Sequence, residues 1–143
     1  MSVVRRPLWN QFLQRTTDNG QRTTDSMDDS HTTVAELKEA VGRFAAERAW
    51  EPFHSPKNLV MGLAVEAAEL MEHFLWVDCE ASRALGQNES RRGDIVDEVA
   101  DVACHLFNLC NALQLDLSQA VRAKMVKNAQ KYPVEKYKGK FEV

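Results

Sequence analysis

Apolar residues at Val34, Leu37, Val41 and Phe44, with Arg48 continuing the spacing, recur every three to four positions and predict a first helix ending near Ala49. Thr33-Val34-Ala35-Glu36 at its head reads as a capping box. Ser55-Pro56 then supplies an N-cap and a first-turn proline, so a second helix is expected from Pro56 to about Val77. Asp78 to Gly93, with Gly86, Asn88, Ser90 and Gly93, reads as a connection with room for a helical turn. A third helix is expected from Asp94 to Leu113. A fourth is capped by Asp116 and stopped after about Lys131 by Pro133. No stretch reads as a strand. The pattern predicts an all-α, four-helix bundle.

On the second helix Leu59, Leu63, Leu70 and Phe74 lie within roughly 60° of one another, at about 100° per residue. The opposite side, with Val60, Met61, Ala68, Met71 and Leu75, is apolar as well. A helix apolar on two sides is buried on two sides. In a chain of 143 residues the second surface is most easily supplied by another copy, so a homodimer or homotetramer is expected. On the third helix Ile95, Val99, Val102, Leu106, Leu109 and Leu113 make the core stripe.

Against these stripes stand two acidic pairs, Glu66-Ala67-Ala68-Glu69 and Glu98-Val99-Ala100-Asp101. Spacing of i, i+3 sets both carboxylates of a pair on one helix face. Glu66 falls at the edge of the second helix's apolar stripe, with Glu69 and His73 beside it. Glu98, Asp101, His105 and Asp94 flank the stripe of the third. Two unit charges roughly 5 Å apart at an effective dielectric of 20 repel by about 3 kcal/mol. Four converging carboxylates therefore call for a cation, and oxygen-only ligands suit Mg²⁺, with Mn²⁺ able to substitute. Magnesium held by a few carboxylates ordinarily serves substrate phosphates. Asp94, Asp97 and Glu72 read instead as solvated acids.

Composition narrows the class. The hydrophobic fraction of 44% and charged fraction of 27% describe one globular domain. A net charge of −3 argues against a nucleic-acid binder that relies on a basic surface. No apolar run is long enough for a membrane span. Three cysteines without a CxxC fit a reducing cytoplasm. Residues 1–30, where Gln14-Arg15-Thr16-Thr17-Asp18 recurs as Gln21-Arg22-Thr23-Thr24-Asp25, read as a flexible polar leader. The domain is expected over residues 31–133, with a tail at 134–143.

The paired acids, taken with their neighbours, resemble the all-α nucleoside triphosphate pyrophosphohydrolases of the MazG type, and within them the dCTP pyrophosphatase branch. The similar stretches are Phe44 to Trp50, Phe53 to Leu59, Glu69 to Trp76, Asp97 to Val102, and Lys124 to Asn128 before Tyr132-Pro133. The resemblance implies that Glu66, Glu69, Glu98 and Asp101 hold Mg²⁺, and that Trp50, His54 and Trp76 shape a nucleoside pocket. Flat side chains suit a base, since stacking is worth about 1–3 kcal/mol per base. Glu51 and His105 are further candidates beside this pocket. Lys124 and Asn128, i, i+4 on the fourth helix, are candidates to reach phosphate oxygens. Two positions depart from the branch. Val41 stands where a histidine is expected near the base, and His105 where a tyrosine is expected in the pocket.

The implied reaction is hydrolysis of a (deoxy)nucleoside triphosphate, dCTP or a modified dCTP, to monophosphate and pyrophosphate, in nucleotide-pool house-cleaning. Glu69, with Glu66, is the candidate catalytic carboxylate that takes the proton of the attacking water. One rival is a non-catalytic helical oligomerisation module whose second apolar face binds a partner. The other is a di-metal carboxylate bundle, which needs Glu-x-x-His pairs. Here Glu72 follows Glu69 by three and Cys104 follows Asp101 by three, so the histidines fall one position late.

Overall fold

Helix starts in this protein follow capping chemistry. The computed structural model describes residues 27–140. In chain order it contains α1 (Val34–Ala46), α2 (Pro56–Glu72), α3 (Cys79–Ala84), α4 (Glu89–Ala112), α5 (Leu117–Lys131) and α6 (Val134–Tyr137). Short 3₁₀ turns lie at Glu51–Phe53 and Leu85–Gln87. No strand occurs among the described residues. Thr33 Oγ1 accepts from Glu36 N at 3.2 Å while Glu36 returns a carboxylate to Thr33 N at 2.7 Å, completing the expected box. Ser55 Oγ accepts from Asn58 N at the head of α2, and Asp116 Oδ1 from Gln119 N at the head of α5. Each such cap stabilises its helix by about 1 kcal/mol.

Three boundaries differ from expectation. The first helix stops at Ala46, where Trp50 N donates to Ala45 O and Ala49 N to Ala46 O. This is a Schellman ending, with Ala49 in the left-handed region at φ 50°. The second helix stops at Glu72, five residues short of Val77. From His73 onward the backbone tightens to bonds reaching three residues back, such as Phe74 N to Met71 O at 2.9 Å. Arg91 caps the change by donating to His73 O at 3.0 Å. The third long helix begins at Glu89, five residues before Asp94, because Asn88 caps it through Ser90 N. Ser90 and Gly93 are thus helical, and the remaining connection folds into α3 and a 3₁₀ turn. The expected tail also contains structure: α6 sets Tyr137 edge-on to Tyr132, with ring centroids 5.3 Å apart. The leader falls outside the described residues apart from 27–30.

The core lies along α4, which packs against α2 on one side and α1 on the other. Leu59 of α2 is 2% exposed and anchors it with Ala45, Leu85 and Cys110. Full burial of one leucine is worth roughly 2–3 kcal/mol. α1 is tied to α4 by Asn111, which donates to Lys38 O at 2.8 Å, and to the connection after α4 by Lys38 Nζ, which donates to Leu115 O at 2.7 Å.

The stripe expected on α4 splits. Ile95, Val102, Leu106 and Leu109 are half-buried, whereas Val99 and Leu113 are exposed. On α2 the second apolar face is open as well: Val60, Met61, Val65, Met71 and Leu75 are each more than half exposed or close to it. α5 is not laid along any other helix among the described residues. Val121, Met125 and Val126 stand exposed on it, so the described residues of one chain do not close a four-helix bundle.

Candidate metal and nucleotide site

Packing α2 on α4 brings the acids together. One carboxylate oxygen from each of Glu66, Glu69 and Glu98 lies within 4.8 Å of the other two. Glu66 and Glu98 are half-buried, while Glu69 is open to solvent. Asp101 stands outside that cluster, one helical turn along α4 from Glu98. It is still close enough to feel the neighbouring acids.

Electrostatics reports the crowding. Burial, then the charges of Glu69 and Glu98, raises the Glu66 carboxyl above its ordinary pKa. Burial, then Glu69 and Asp101, raises Glu98. Asp101 is pushed up to about 6, by burial first and by the Glu66 charge second, with His105 opposing. Glu98 Oε2 is buried with no hydrogen-bond partner. A buried carboxylate oxygen with no hydrogen-bond donor is open to a cation, and the donor set is all oxygen. These residues fit a hard divalent cation.

Beside the acids lies an aromatic wall. The Schellman turn at Ala49 delivers Trp50, whose ring meets Phe44 edge-on at 5.8 Å and His54 at 6.0 Å. The His54 loop is pinned to α2 by Asn58 Nδ2, which donates to Phe53 O at 3.0 Å. Trp50 is 38% exposed, so part of the residue remains open to solvent. Burial, and then repulsion from His105, lowers the His54 pKa, while Glu51 opposes the shift. His105 is lowered by burial, against the raising influence of Asp101. Both imidazoles therefore favour the neutral form. Trp50, His54 and His105 thus form a run that leads to Glu66, which lies 3.5 Å from His105 Nε2.

Not every expected residue joins this run. Trp76 is 94% exposed beyond the end of α2, with no ring against it among the described residues. Lys124 and Asn128 sit on α5, away from the packed helices, Lys124 exposed and Asn128 half-buried. Glu51 lies in the 3₁₀ turn before His54 and acts on it through charge.

Two residues of the site were not anticipated. Phe44 backs the Trp50 ring and carries the Arg48 guanidinium at 3.4 Å on its own face. Gly62 lies one turn before Glu66, and a Cβ there would stand 2.8 Å from His105 Nδ1 and 3.1 Å from Nε2. Glycine inside a helix costs about 1 kcal/mol relative to alanine, so its presence marks a close approach. The legible signal was a lone glycine at i−4 from a stripe acid.

The chain belongs to the MazG-like family, whose model matches residues 62–141. That span includes both acidic pairs and runs past residue 133. Among the similar proteins, dCTP pyrophosphatase 1 of Bos taurus is 36% identical over 110 residues, which is 77% of this chain and 65% of the bovine protein. Mouse dCTP pyrophosphatase 1 is 34% identical over 134 residues, 87% of this chain and 79% of its own length. The chain thus spans just under two thirds of the bovine protein and more of the mouse protein. A solved pyrophosphatase from Archaeoglobus fulgidus superposes with a TM-score of 0.64 at 34% identity, covering 75% of this chain and 98% of that one.

Proposed function

We propose that this protein is a Mg²⁺-dependent nucleoside triphosphate pyrophosphohydrolase that converts dCTP, or a modified dCTP, to the monophosphate and pyrophosphate. The observation that carries this reading is the meeting of Glu66, Glu69 and Glu98 beside the Trp50–His54 wall, in a chain similar to dCTP pyrophosphatases. Glu66, Glu69, Glu98 and Asp101 would hold the ion. When bound, it supplies positive charge against the triphosphate and a Lewis-acid site for oxygen. Glu69, the solvent-open carboxylate of the cluster, receives the proton of the attacking water as it adds in line to phosphorus. Trp50 stacks on the base, while Glu51, His54 and His105 line the approach to base and sugar.

A second copy of the chain completes the picture. It would cover the exposed faces of α2 and α5 and account for Trp76, Lys124 and Asn128, which are not brought to the acids among the described residues. Such sharing makes the enzyme a homodimer or homotetramer. No helix among the described residues is long and apolar enough to cross a membrane. The three cysteines are free, which supports a reducing cytoplasm, where the enzyme would clear surplus or modified nucleotides.

Purified protein incubated with each dNTP and Mg²⁺, with pyrophosphate detection, tests the reading. Consumption of dCTP that stops on adding EDTA and resumes with Mg²⁺ is the expected result. If no triphosphate is consumed, the chain is instead a non-catalytic helical module.

A further inference from the structure

His105 sits in a notch that a glycine creates. Gly62 and Glu66 are i, i+4 on α2 and share a face. Asp101 and His105 are i, i+4 on α4 and face them. At Gly62 the missing side chain leaves room for the imidazole edge, since a Cβ would collide with His105 Cε1 and crowd both ring nitrogens. With the ring seated there, Nδ1 is buried and bonded to nothing. Nε2 lies 3.5 Å from Glu66 Oε1. A ring with a bare, enclosed Nδ1 carries its proton on Nε2, the nitrogen nearer the carboxylate.

We infer that His105 is a positioning residue for Glu66, admitted by Gly62, which orients that carboxylate by donating from Nε2. This deepens the metal reading above and rests on it. Carboxylates that ligate metals depend on such outer partners, whose loss weakens metal binding by about 10- to 100-fold. Donor contacts of this kind are often long in a ligand-free site and shorten when the site fills. The remaining exposed edge of the ring is free to meet substrate, so the two roles differ in what they control.

The test measures Mn²⁺ binding to the full chain without nucleotide, by electron paramagnetic resonance, alongside dCTP kinetics. His105→Leu should weaken nucleotide-free Mn²⁺ binding by about 10-fold or more and lower kcat, whatever its effect on KM for dCTP. His105→Gln, which returns an amide donor near the Nε2 position, should recover most of both losses. Gly62→Ala should reproduce the leucine variant, and adding it to His105→Ala should cost nothing further, because the two act through one contact. Circular dichroism confirms that each variant folds. Mn²⁺ binding by His105→Leu equal to wild type, or an effect confined to KM, overturns the inference while leaving the enzyme reading intact. Wild-type protein that binds no Mn²⁺ removes the metal reading itself, and this inference with it.

Discussion

The seam between α2 and α4 and the exposed helix α5 are written in equally regular helical sequence, yet they meet opposite fates. Along the seam, Leu59 is buried while Glu66 and Glu98 are drawn in beside it. On α5, Val121, Met125 and Val126 are exposed, with no helix among the described residues packed along them. One region places charge where apolar contacts belong, and the other leaves apolar surface where charge belongs. Each is costly in an isolated chain. Charges lacking a cation repel, and a large open apolar face invites a partner. On the proposed function both imbalances would be resolved by something that binds: an ion at the seam and a second copy at α5.

Four experiments bear on that contrast. The largest effect is expected from Glu66→Gln, which removes a carboxylate from the centre of the seam. Pyrophosphate release should fall by about 100-fold or more, as ligand loss should exceed the 10- to 100-fold cost of losing a supporting group. Helical content, read by circular dichroism, should not change. Retained activity would show that the acids are solvated ornaments of the helix.

Met125→Glu addresses the other region. Sedimentation should show wild type at a multiple of 16.2 kDa and the variant shifted toward that mass, with self-association weakened by about 10-fold or more. A wild-type protein that sediments as a monomer would leave the contrast with only one half.

The crowded acids also predict a pH dependence. Asp101, raised from 3.8 to about 6, keeps its proton further up the pH scale than an isolated carboxyl. In the metal-free protein its contribution to stability is full below 3.8 and lost as pH rises through about 6. A cation must displace that proton at acid pH. His54 and His105, whose lowered pKa values keep them neutral at pH 7, gain charge in the same direction as pH falls. Mn²⁺ affinity, measured by calorimetry, should therefore decline by about 10-fold per unit below pH 6 for each proton displaced. A flat profile from pH 7 to 5 would mean that Asp101 and its neighbours do not share the ion's site.

The smallest effect concerns the turn that presents Trp50. Ala49 holds a left-handed φ of 50° that glycine adopts without penalty. Ala49→Gly should raise stability by up to about 1 kcal/mol, the relief of strain offset by glycine's greater unfolded-state entropy. Thermal unfolding reads this, and a loss of stability would imply that the methyl group has packing value.

Much of the fold was legible because it depends on neighbours in the chain. Thr33 with Glu36, Ser55 with Pro56, and Asp116 with Gln119 behaved as read, since a cap involves a side chain and backbone only a few residues away. Where the reading failed, distant groups intervened. Apolar spacing continued through Phe74, Leu75 and Val77 with no glycine or proline to stop it, but Arg91 captures His73 O and the helix ends earlier. Ser90 and Gly93 suggested a loop, and a cap at Asn88 with packing along α4 overrode their weak helix preference.

The same division holds for the site. Spacing along the chain decided that Glu66 and Glu69 share a face, as do Glu98 and Asp101, because a helix repeats at a known angle. Which faces then meet was settled by packing: Asp101 stands aside while Glu98 joins Glu66 and Glu69. Packing likewise seats His105 over Gly62, and leaves Trp76 and α5 without a packed neighbour helix among the described residues. Periodicity is a property of a single helix. Convergence depends on how two helices cross, and that is set by side-chain volumes far apart in the chain.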